Sequence, residues 1–263
     1  MQIRLLLVLL ILPLGLLAQT GLNKVDAAGK KQGKWIVKYP NNKTRYTATF
    51  KDGYPEGKMI RYYENGVKKA EMEFSEKGKL AQTTLFSEMG RVYAKGLYKN
   101  MKKQGPWEFY NKGRKVVVQN YLNGLKDGKT NVLFPSGKTY QQIGYKNDKI
   151  DGCVKIFDLE GHQISSFSYV EGVRQGECKT WTAGGEVEMV GEYNNNLPHG
   201  SWKFFNDEGE VDYELKYDNG DILNPEVLEK RDEEKFKRLE AQKLKLQDPE
   251  EFVKNPVEVL KRK

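Results

Sequence analysis

The fold is decided by a repeating stretch, of which residues 57–74 carry a clear copy, GKMIRYYENGVKKAEMEF. If Gly57 is taken as position 0, Gly66 stands at position 9 and Phe74 at position 17. Glycine and asparagine accept positive φ, so position 9 marks the pivot of a turn. After the turn, apolar residues alternate with polar ones as far as Phe74, which is the period-two pattern of a half-buried strand. The stretch therefore predicts a β-hairpin.

The same three positions recur along the chain from Gly33 to about Leu223. Consecutive copies start 23 or 24 residues apart, and the copy that starts at Gly105 is one residue short. Position 0 is held by Gly33, Gly57, Ala81, Gly105, Gly128, Gly152, Gly176 and Gly200. Position 9 is held by Asn42, Gly66, Gly90, Gly137, Gly161, Gly185 and Gly209, with Gly113 one residue early in the short copy. Position 17 is held by Phe50, Phe74, Tyr98, Tyr145, Tyr169, Tyr193 and Tyr217, with Tyr121 one residue early in the short copy. Such a fixed period predicts eight hairpins.

The type of turn determines which residues share a face. A two-residue type I′ turn would need positive φ at position 8, which Glu160 and Glu208 disfavour, whereas Pro40 at position 7 suits a type I turn. We therefore predict a three-residue loop, a type I turn followed by a glycine bulge, in which position 6 pairs with position 10. This register places position 5 on the same face as position 17. In the short copy the missing residue reverses the facing of the first strand, which brings Trp107 and Phe109 onto that face.

The fold class predicted is an all-β repeat, an elongated antiparallel meander of about eight 24-residue β-hairpins with a C-terminal α-helical tail. The hairpin repeats occupy residues 33–223 and the charged helical tail residues 224–263. In the tail, Asn224, Asp248 and Asn255 each precede a proline, which indicates three capped helix starts. The first helix is predicted from Pro225 to Gln247 and is expected to pack over the last hairpins. Its thin apolar stripe consists of Leu228, Phe236, Leu239 and Leu246.

The N-terminal residues predict export. Arg4 precedes an apolar run from Leu5 to Leu17, and Ala18 supplies a small residue before the expected cut, so residues 1–18 are predicted to be a signal peptide. That run is too short to span a bilayer, so no transmembrane segment is expected after its removal. Residues 19–32 then form an N-terminal leader, and the mature protein is expected in the periplasm or outside the cell.

The residues of the repeat resemble those of a known family. The segments Gly57–Gly66 and Tyr121–Gly128 are similar to MORN repeats, in particular to the bacterial variant known as YwqK-type antitoxin repeats, and the resemblance covers residues 22–223. It implies an elongated antiparallel meander with a role in protein scaffolding. For eukaryotic relatives it also implies membrane association.

The composition argues against several classes of function. The 263 residues carry a formal net charge of +8 with opposite charges interleaved, which favours a hydrated surface over a nucleic-acid interface. Cys153 and Cys178 are predicted to face opposite sides of the sheet and to remain free, while His162 and His199 are predicted in solvated loops. No nucleophile–base pattern or metal-ligand spacing stands out. The sequence therefore predicts no enzyme, no cofactor and no metal site.

Two functions remain at this point, and a third, a hydrolase, would require a cleft that gathers acidic residues from several repeats. One is an exported scaffold that binds an envelope protein through the aromatic face or the helix, with peripheral membrane contact as an added option. The other is a glycan or cell-wall binding module whose rings stack on sugars. Solvent exposure of the Trp rings separates the two, because rings on sheets commonly serve cross-strand packing. The candidate binding residues are Trp35, Tyr62, Phe86, Trp107, Phe157, Trp181, Trp202 and Phe205.

Overall fold

The structure is a computed structural model that describes residues 21–243 and divides into two compact units, unit 1 ending at Leu125 and unit 2 beginning at Lys126. The predicted signal peptide and the predicted helix starts at Asp248 and Asn255 lie outside the described residues.

Unit 1 contains four hairpins, each built from two consecutive strands that pair antiparallel. Its strands are β1 (Lys24–Val25), β2 (Lys31–Lys38), β3 (Thr44–Lys51), β4 (Tyr54–Tyr62), β5 (Lys68–Ser75), β6 (Leu80–Phe86), β7 (Val92–Lys99), β8 (Lys102–Asn111) and β9 (Arg114–Leu122). Hairpins 1 to 4 are β2–β3, β4–β5, β6–β7 and β8–β9, and neighbouring hairpins within the unit also pair with each other.

Unit 2 repeats this arrangement and ends in a helix. Its strands are β10 (Leu125–Leu133), β11 (Thr139–Lys146), β12 (Lys149–Phe157), β13 (Gln163–Val170), β14 (Val173–Trp181), β15 (Val187–Asn194), β16 (Leu197–Phe205), β17 (Val211–Asp218) and β18 (Asp221–Ile222). Hairpins 5 to 8 are β10–β11, β12–β13, β14–β15 and β16–β17, and helix α1 covers Glu226–Lys243. The predicted all-β antiparallel meander with a C-terminal helix is confirmed.

The hairpin turns confirm the predicted three-residue loop in seven of the eight copies. In hairpin 2 the Tyr63 amide donates to the Val67 carbonyl and the Gly66 amide donates to the Tyr63 carbonyl, so position 6 pairs with position 10. Gly66 has φ +92°, the left-handed conformation of a glycine bulge. The short hairpin 4 differs. There Asn111 pairs with Arg114, and Lys112 and Gly113 both have positive φ, as a type I′ turn requires.

The position-0 glycines have a role that was not predicted: they form bulges within strands. Between hairpins 1 and 2, Thr47 pairs with Ile60 and Thr49 pairs with Glu56. Three residues of β4, beginning with Gly57, therefore lie opposite a single residue of β3. Gly57 has φ +64°, a left-handed conformation that side chains with a Cβ resist. At Ala81 the register is regular instead, because alanine does not support this bulge, and the preceding turn is two residues longer.

A further bulge overturns the prediction that positions 5 and 17 share a face. In hairpin 2, position 4 (Arg61) pairs with position 13 (Ala70), but position 5 (Tyr62) pairs with position 11 (Lys68). The extra residue at position 12 shifts the register between these pairs, and a one-residue shift turns every later side chain over. Positions 0, 2 and 4 therefore share the face of position 17, and position 5 lies on the other face.

Helix α1 starts close to the predicted residue but is not capped as predicted. The Asn224 side chain accepts from the Lys216 amide at 2.8 Å and donates to the Glu214 carbonyl at 3.0 Å, so it binds the edge of β17 rather than the helix amides. The Asn224 backbone carbonyl accepts the first helical hydrogen bond, from the Val227 amide, and the Pro225 carbonyl accepts the next ones, from Leu228 and Glu229. Among the described residues, no helix combines the length and the apolar character needed to cross a membrane.

Strand β2 of unit 1 is protected in the same way as β17. The Asn23 side chain accepts from the Ile36 amide at 2.8 Å and donates to the Ile36 carbonyl at 3.0 Å. The short strand β1 pairs beside it, with Lys24 opposite Gln32. Edge strands expose unpaired backbone groups that invite association with another chain, so an asparagine that occupies these groups blunts the edge.

Candidate functional site

In each unit we define the aromatic face as the side of the sheet that carries the position-17 rings. Positions 0, 2, 4, 13, 15 and 17 point to it, and the other side is the opposite face. Several rings pack edge to face, as in Trp202 with Tyr193 and Tyr217 at centroid distances of 5.2 and 5.6 Å. In unit 1, Trp107 has Tyr98 at 4.9 Å. All three distances lie within the range in which aromatic pairs attract each other.

Two of the tryptophans are seated on glycines of the neighbouring strand. A Cβ added to Gly96 would come within 2.3 Å of the Trp107 ring, and a Cβ on Gly191 would come equally close to Trp202. The indole Nε1 groups donate to the Leu97 and Glu192 carbonyls, each at 3.1 Å. Trp107 is 0% exposed and Trp202 is 7% exposed. The absence of a side chain opposite each indole is thus what lets the ring lie against the backbone.

Basic side chains that stand two residues before position 0 lie above the aromatic rings. Lys31 Nζ is 4.5 Å from the Trp35 ring centroid and 4.8 Å from that of Phe50. Lys103 contacts Trp107, and Arg174 contacts the rings of hairpins 6 and 7. A cation this close to a ring face is attracted by the ring quadrupole. The side chains that cover the rings are therefore basic in both units.

The aromatic face of unit 1 contains an open groove of about 1030 Å³. Its floor is apolar and includes Phe50, Met59, Met72, Phe74, Leu85 and Tyr98. Its rim carries five exposed cations, Arg45, Arg61, Lys69, Lys77 and Lys79. None of the described residues that line the groove is an aspartate or a glutamate. The groove thus combines apolar surface with positive charge.

The corresponding face of unit 2 holds the start of helix α1. Val227 and Leu228 pack against a cluster formed by Cys178, Trp202 and Leu215. One turn further on, the Arg231 guanidinium lies 4.1 Å from the Tyr213 ring centroid and 3.4 Å from Asp212 Oδ2. Phe236 and Leu239 are 62% and 55% exposed. The predicted docking on the last hairpin is therefore made by the first turns of the helix. Phe236 and Leu239 of the predicted stripe are open to solvent, and Leu246 lies outside the described residues.

Burial raises the pKa of several groups on the aromatic face. It raises the pKa of the Cys178 thiol to about 11 and also raises that of the Tyr98 and Tyr217 hydroxyls. Each shift has the same cause, because a low-polarity surrounding disfavours the ionised form. These groups are therefore neutral near pH 7, and their part in the face is packing.

The structure divides the eight predicted binding residues between the two faces. Trp35, Trp107 and Trp202 occupy position 2 and lie on the aromatic face. The position-5 residues lie on the opposite face and are half-buried; they are Tyr62, Phe86, Phe157, Trp181 and Phe205. The predicted residues thus do not form one surface. The basic rim of the groove was missed, although the cations at positions 4 and 12 are visible in the sequence.

On the opposite face, position-5 rings pack beside ion pairs. Lys68 Nζ is 5.2 Å from the Phe86 centroid and also pairs with Glu71, which pairs with Lys58 as well. Hydrogen bonds from Lys58 and Lys68 lower the pKa of the Glu71 carboxyl. In hairpin 4, the Tyr110 hydroxyl donates to Glu108, which raises the pKa of Tyr110 to about 12. This face is a polar surface with rings between its charged pairs.

The cysteines lie as predicted, and one histidine does not. Cys153 is exposed and Cys178 is buried on the aromatic face, so the two thiols are free and on opposite sides. His162 follows β12 outside a strand, with Nδ1 3.2 Å from Asp158 Oδ2. His199, however, lies within β16 opposite Glu192 and not in a loop, because the bulge at position 0 places it in the ladder. Residues 21–243 contain no cluster of three or more His, Cys, Asp or Glu that could hold a metal ion.

Comparison with known proteins identifies the repeat in part of the chain. A family model described as the MORN repeat variant matches residues 31–52, 55–76 and 198–219. These segments correspond to hairpins 1, 2 and 8, so the predicted MORN likeness is confirmed at three positions. No curated protein matches the chain.

Proposed function

We propose that this protein is a non-enzymatic repeat scaffold that mediates protein–protein interaction in the bacterial cell envelope, through its aromatic faces. The observation that carries the proposal is the open groove of unit 1, with its apolar floor and basic rim. Exposed apolar surface bordered by polar groups is typical of sites where proteins meet. The matched MORN repeat variant supports a scaffold, since such repeats are generally non-catalytic. We extend the YwqK-type assignment to the unmatched hairpins on their shared register.

Burial of the tryptophans speaks against the glycan-binding alternative. A sugar stacks on a ring whose face is open to solvent, but Trp107 and Trp202 are almost fully enclosed by their neighbours. Trp35 and Trp181 are half-buried and lie on different faces. The rings therefore fit cross-strand packing better than a flat sugar platform.

Site-specific photocrosslinking tests the proposed function. A photoreactive amino acid at Met72 would face the groove, and the same group at the adjacent Glu73 would face the other side. In cell-envelope extracts we expect a discrete protein adduct from position 72 and none from position 73. Equal labelling from both positions, or adducts to polysaccharide alone, would contradict a protein-binding aromatic face.

The export part of the proposal rests on residues 1–18. We expect mass spectrometry of the protein from its cells to show a chain that begins at Gln19 and is recovered from the envelope or the medium. A variant without residues 2–18 should remain in the cytoplasm. Recovery of the uncleaved chain from the cytoplasm would contradict export.

A further inference from the structure

Unit 2 shows how this repeat holds a helix. Helix α1 places apolar Val227 and Leu228 on the cluster of Trp202 and Leu215, and Arg231 then reaches position 12 of hairpin 8. Position 12 is Asp212, whose carboxylate lies 3.4 Å from the Arg231 guanidinium. The helix is thus bound by apolar contact together with one pair of opposite charges.

Hairpin 1 carries the same face with the opposite charge. Its positions 12 and 13 are Arg45 and Tyr46, where hairpin 8 has Asp212 and Tyr213. Position 2 is tryptophan in both hairpins, and position 17 is aromatic in both. The surface that receives an arginine-bearing helix in unit 2 is therefore repeated in unit 1 with an arginine in place of the aspartate.

Hairpin 2 extends this positive charge along the groove. Arg61 at position 4 pairs across the strands with Tyr46, and Lys69 occupies position 12 of hairpin 2. Arg45, Arg61 and Lys69 are exposed. Within residues 21–243 none of the three forms a salt bridge with a carboxylate; Arg45 and Lys69 only lie near the Tyr39 and Tyr63 rings. The charges on this rim are available to a ligand.

We propose that the groove of unit 1 binds an amphipathic helical segment of a partner protein, whose carboxylates flank its apolar stripe and pair with Arg45, Arg61 and Lys69. The inference rests on the proposed scaffold function and specifies the chemistry of the partner. An amphipathic helix fits the apolar floor in the recurring helix-in-groove mode. Complementary charges on the rim then select acidic over basic helices.

Two peptides of about 18 residues, the length of α1, test this choice of partner. Both carry the same helical Leu and Phe stripe, flanked by Glu in one peptide and by Lys in the other. Fluorescence anisotropy with the full chain should show that the acidic peptide binds at least about tenfold more tightly, since three rim pairs contribute together. The triple variant R45E/R61E/K69E should reverse this preference.

Lys34→Glu is the matched control, because Lys34 is exposed at position 1 on the opposite face, and it should leave both affinities unchanged. Circular dichroism checks that the triple variant folds, and if it does not, Arg45→Glu and Lys69→Glu are measured singly. Each single variant should weaken binding of the acidic peptide and strengthen binding of the basic one.

Equal affinity for the two peptides would overturn the inference. A second result would also overturn it: the protein binds vesicles of mixed neutral and anionic phospholipid, the triple variant abolishes this binding, and neither peptide binds. The partner would then be a membrane. Self-association abolished by the triple variant would instead identify a second copy of the chain. If the crosslink from position 72 still captures a protein in any of these cases, the scaffold function stands and only the acidic-helix assignment fails.

Discussion

Glycine serves three different purposes in this repeat. At position 9 it provides the left-handed residue that closes a three-residue loop, as Gly66 does at φ +92°. At position 0 it permits an in-strand bulge, and Ala81 shows the consequence of its loss, because the bulge disappears and the neighbouring turn lengthens. At Gly96 and Gly191 its use is spatial, since an indole ring occupies the place of the side chain.

The contact between Gly96 and Trp107 gives a prediction at the residue scale. Gly96→Ala should lower the free energy of unfolding by about 1–3 kcal/mol, because the new Cβ would overlap the buried indole. The penalty should shrink in a Trp107→Leu background, where a smaller side chain leaves room. Denaturant unfolding of the four members of this cycle measures the coupling. Additive effects would show that ring and glycine do not compete for the same space.

Helix α1 is an element held at one end only. Its first turns contact the aromatic face, while Phe236 and Leu239 point into solvent. Leu228→Ala should therefore cost about 1–2 kcal/mol, less than a fully buried leucine. Leu239→Ala, the matched change, should stay within about 0.5 kcal/mol of the unaltered protein. Thermal unfolding compares the two, and equal losses would mean that the helix is bound along its length.

Strands β2 and β17 are elements whose exposed backbone groups bind an asparagine side chain. Asn23→Ala and Asn224→Ala free the Ile36 and Lys216 amides, so hydrogen exchange at these two amides should accelerate. The freed edges should also promote association between chains, which light scattering would detect as an apparent mass that rises with protein concentration. Asn41→Ala, which alters an exposed turn of hairpin 1, serves as the control. Unchanged exchange would show that the edge is protected by other groups.

At the scale of the whole molecule, buried ionisable groups make the free energy of unfolding decrease as the pH rises into the alkaline range. The folded state holds the pKa of Cys178 at about 11, above its ordinary value of 9.0, because burial favours the neutral thiol. An unfolded chain would ionise this thiol first, so its contribution is complete below about pH 9 and is lost as the pH rises towards 11. The raised pKa values of Tyr98, Tyr213 and Tyr217 act in the same direction at still higher pH.

Denaturant midpoints measured from about pH 8 to pH 10 test this prediction. The unaltered protein should lose stability over that range, and Cys178→Ala should flatten the decline. Cys153→Ala should leave it unchanged, because that thiol is exposed. Alkylation provides a second measure: Cys153 should react in the native state and Cys178 only on opening. Equal reactivity of the two thiols would contradict burial of Cys178.

The sequence by itself determined the number of hairpins, the three-residue loops and the C-terminal helix, because each depends on local rules. A residue with positive φ, a proline at a turn or an alternating strand acts through its immediate neighbours. For the same reason the free cysteines were placed correctly on opposite sides of the sheet.

Only the tertiary structure decided which face each ring occupies. The bulge at position 12 leaves no gap in the period of the sequence, yet it moves Tyr62 and Trp181 away from the position-17 rings. The tertiary structure likewise decided that the Asn224 side chain binds a strand edge and not the helix, and that His199 pairs within a strand ladder. Register depends on how a strand pairs with its neighbour, and the spacing of residues along one strand does not specify that pairing.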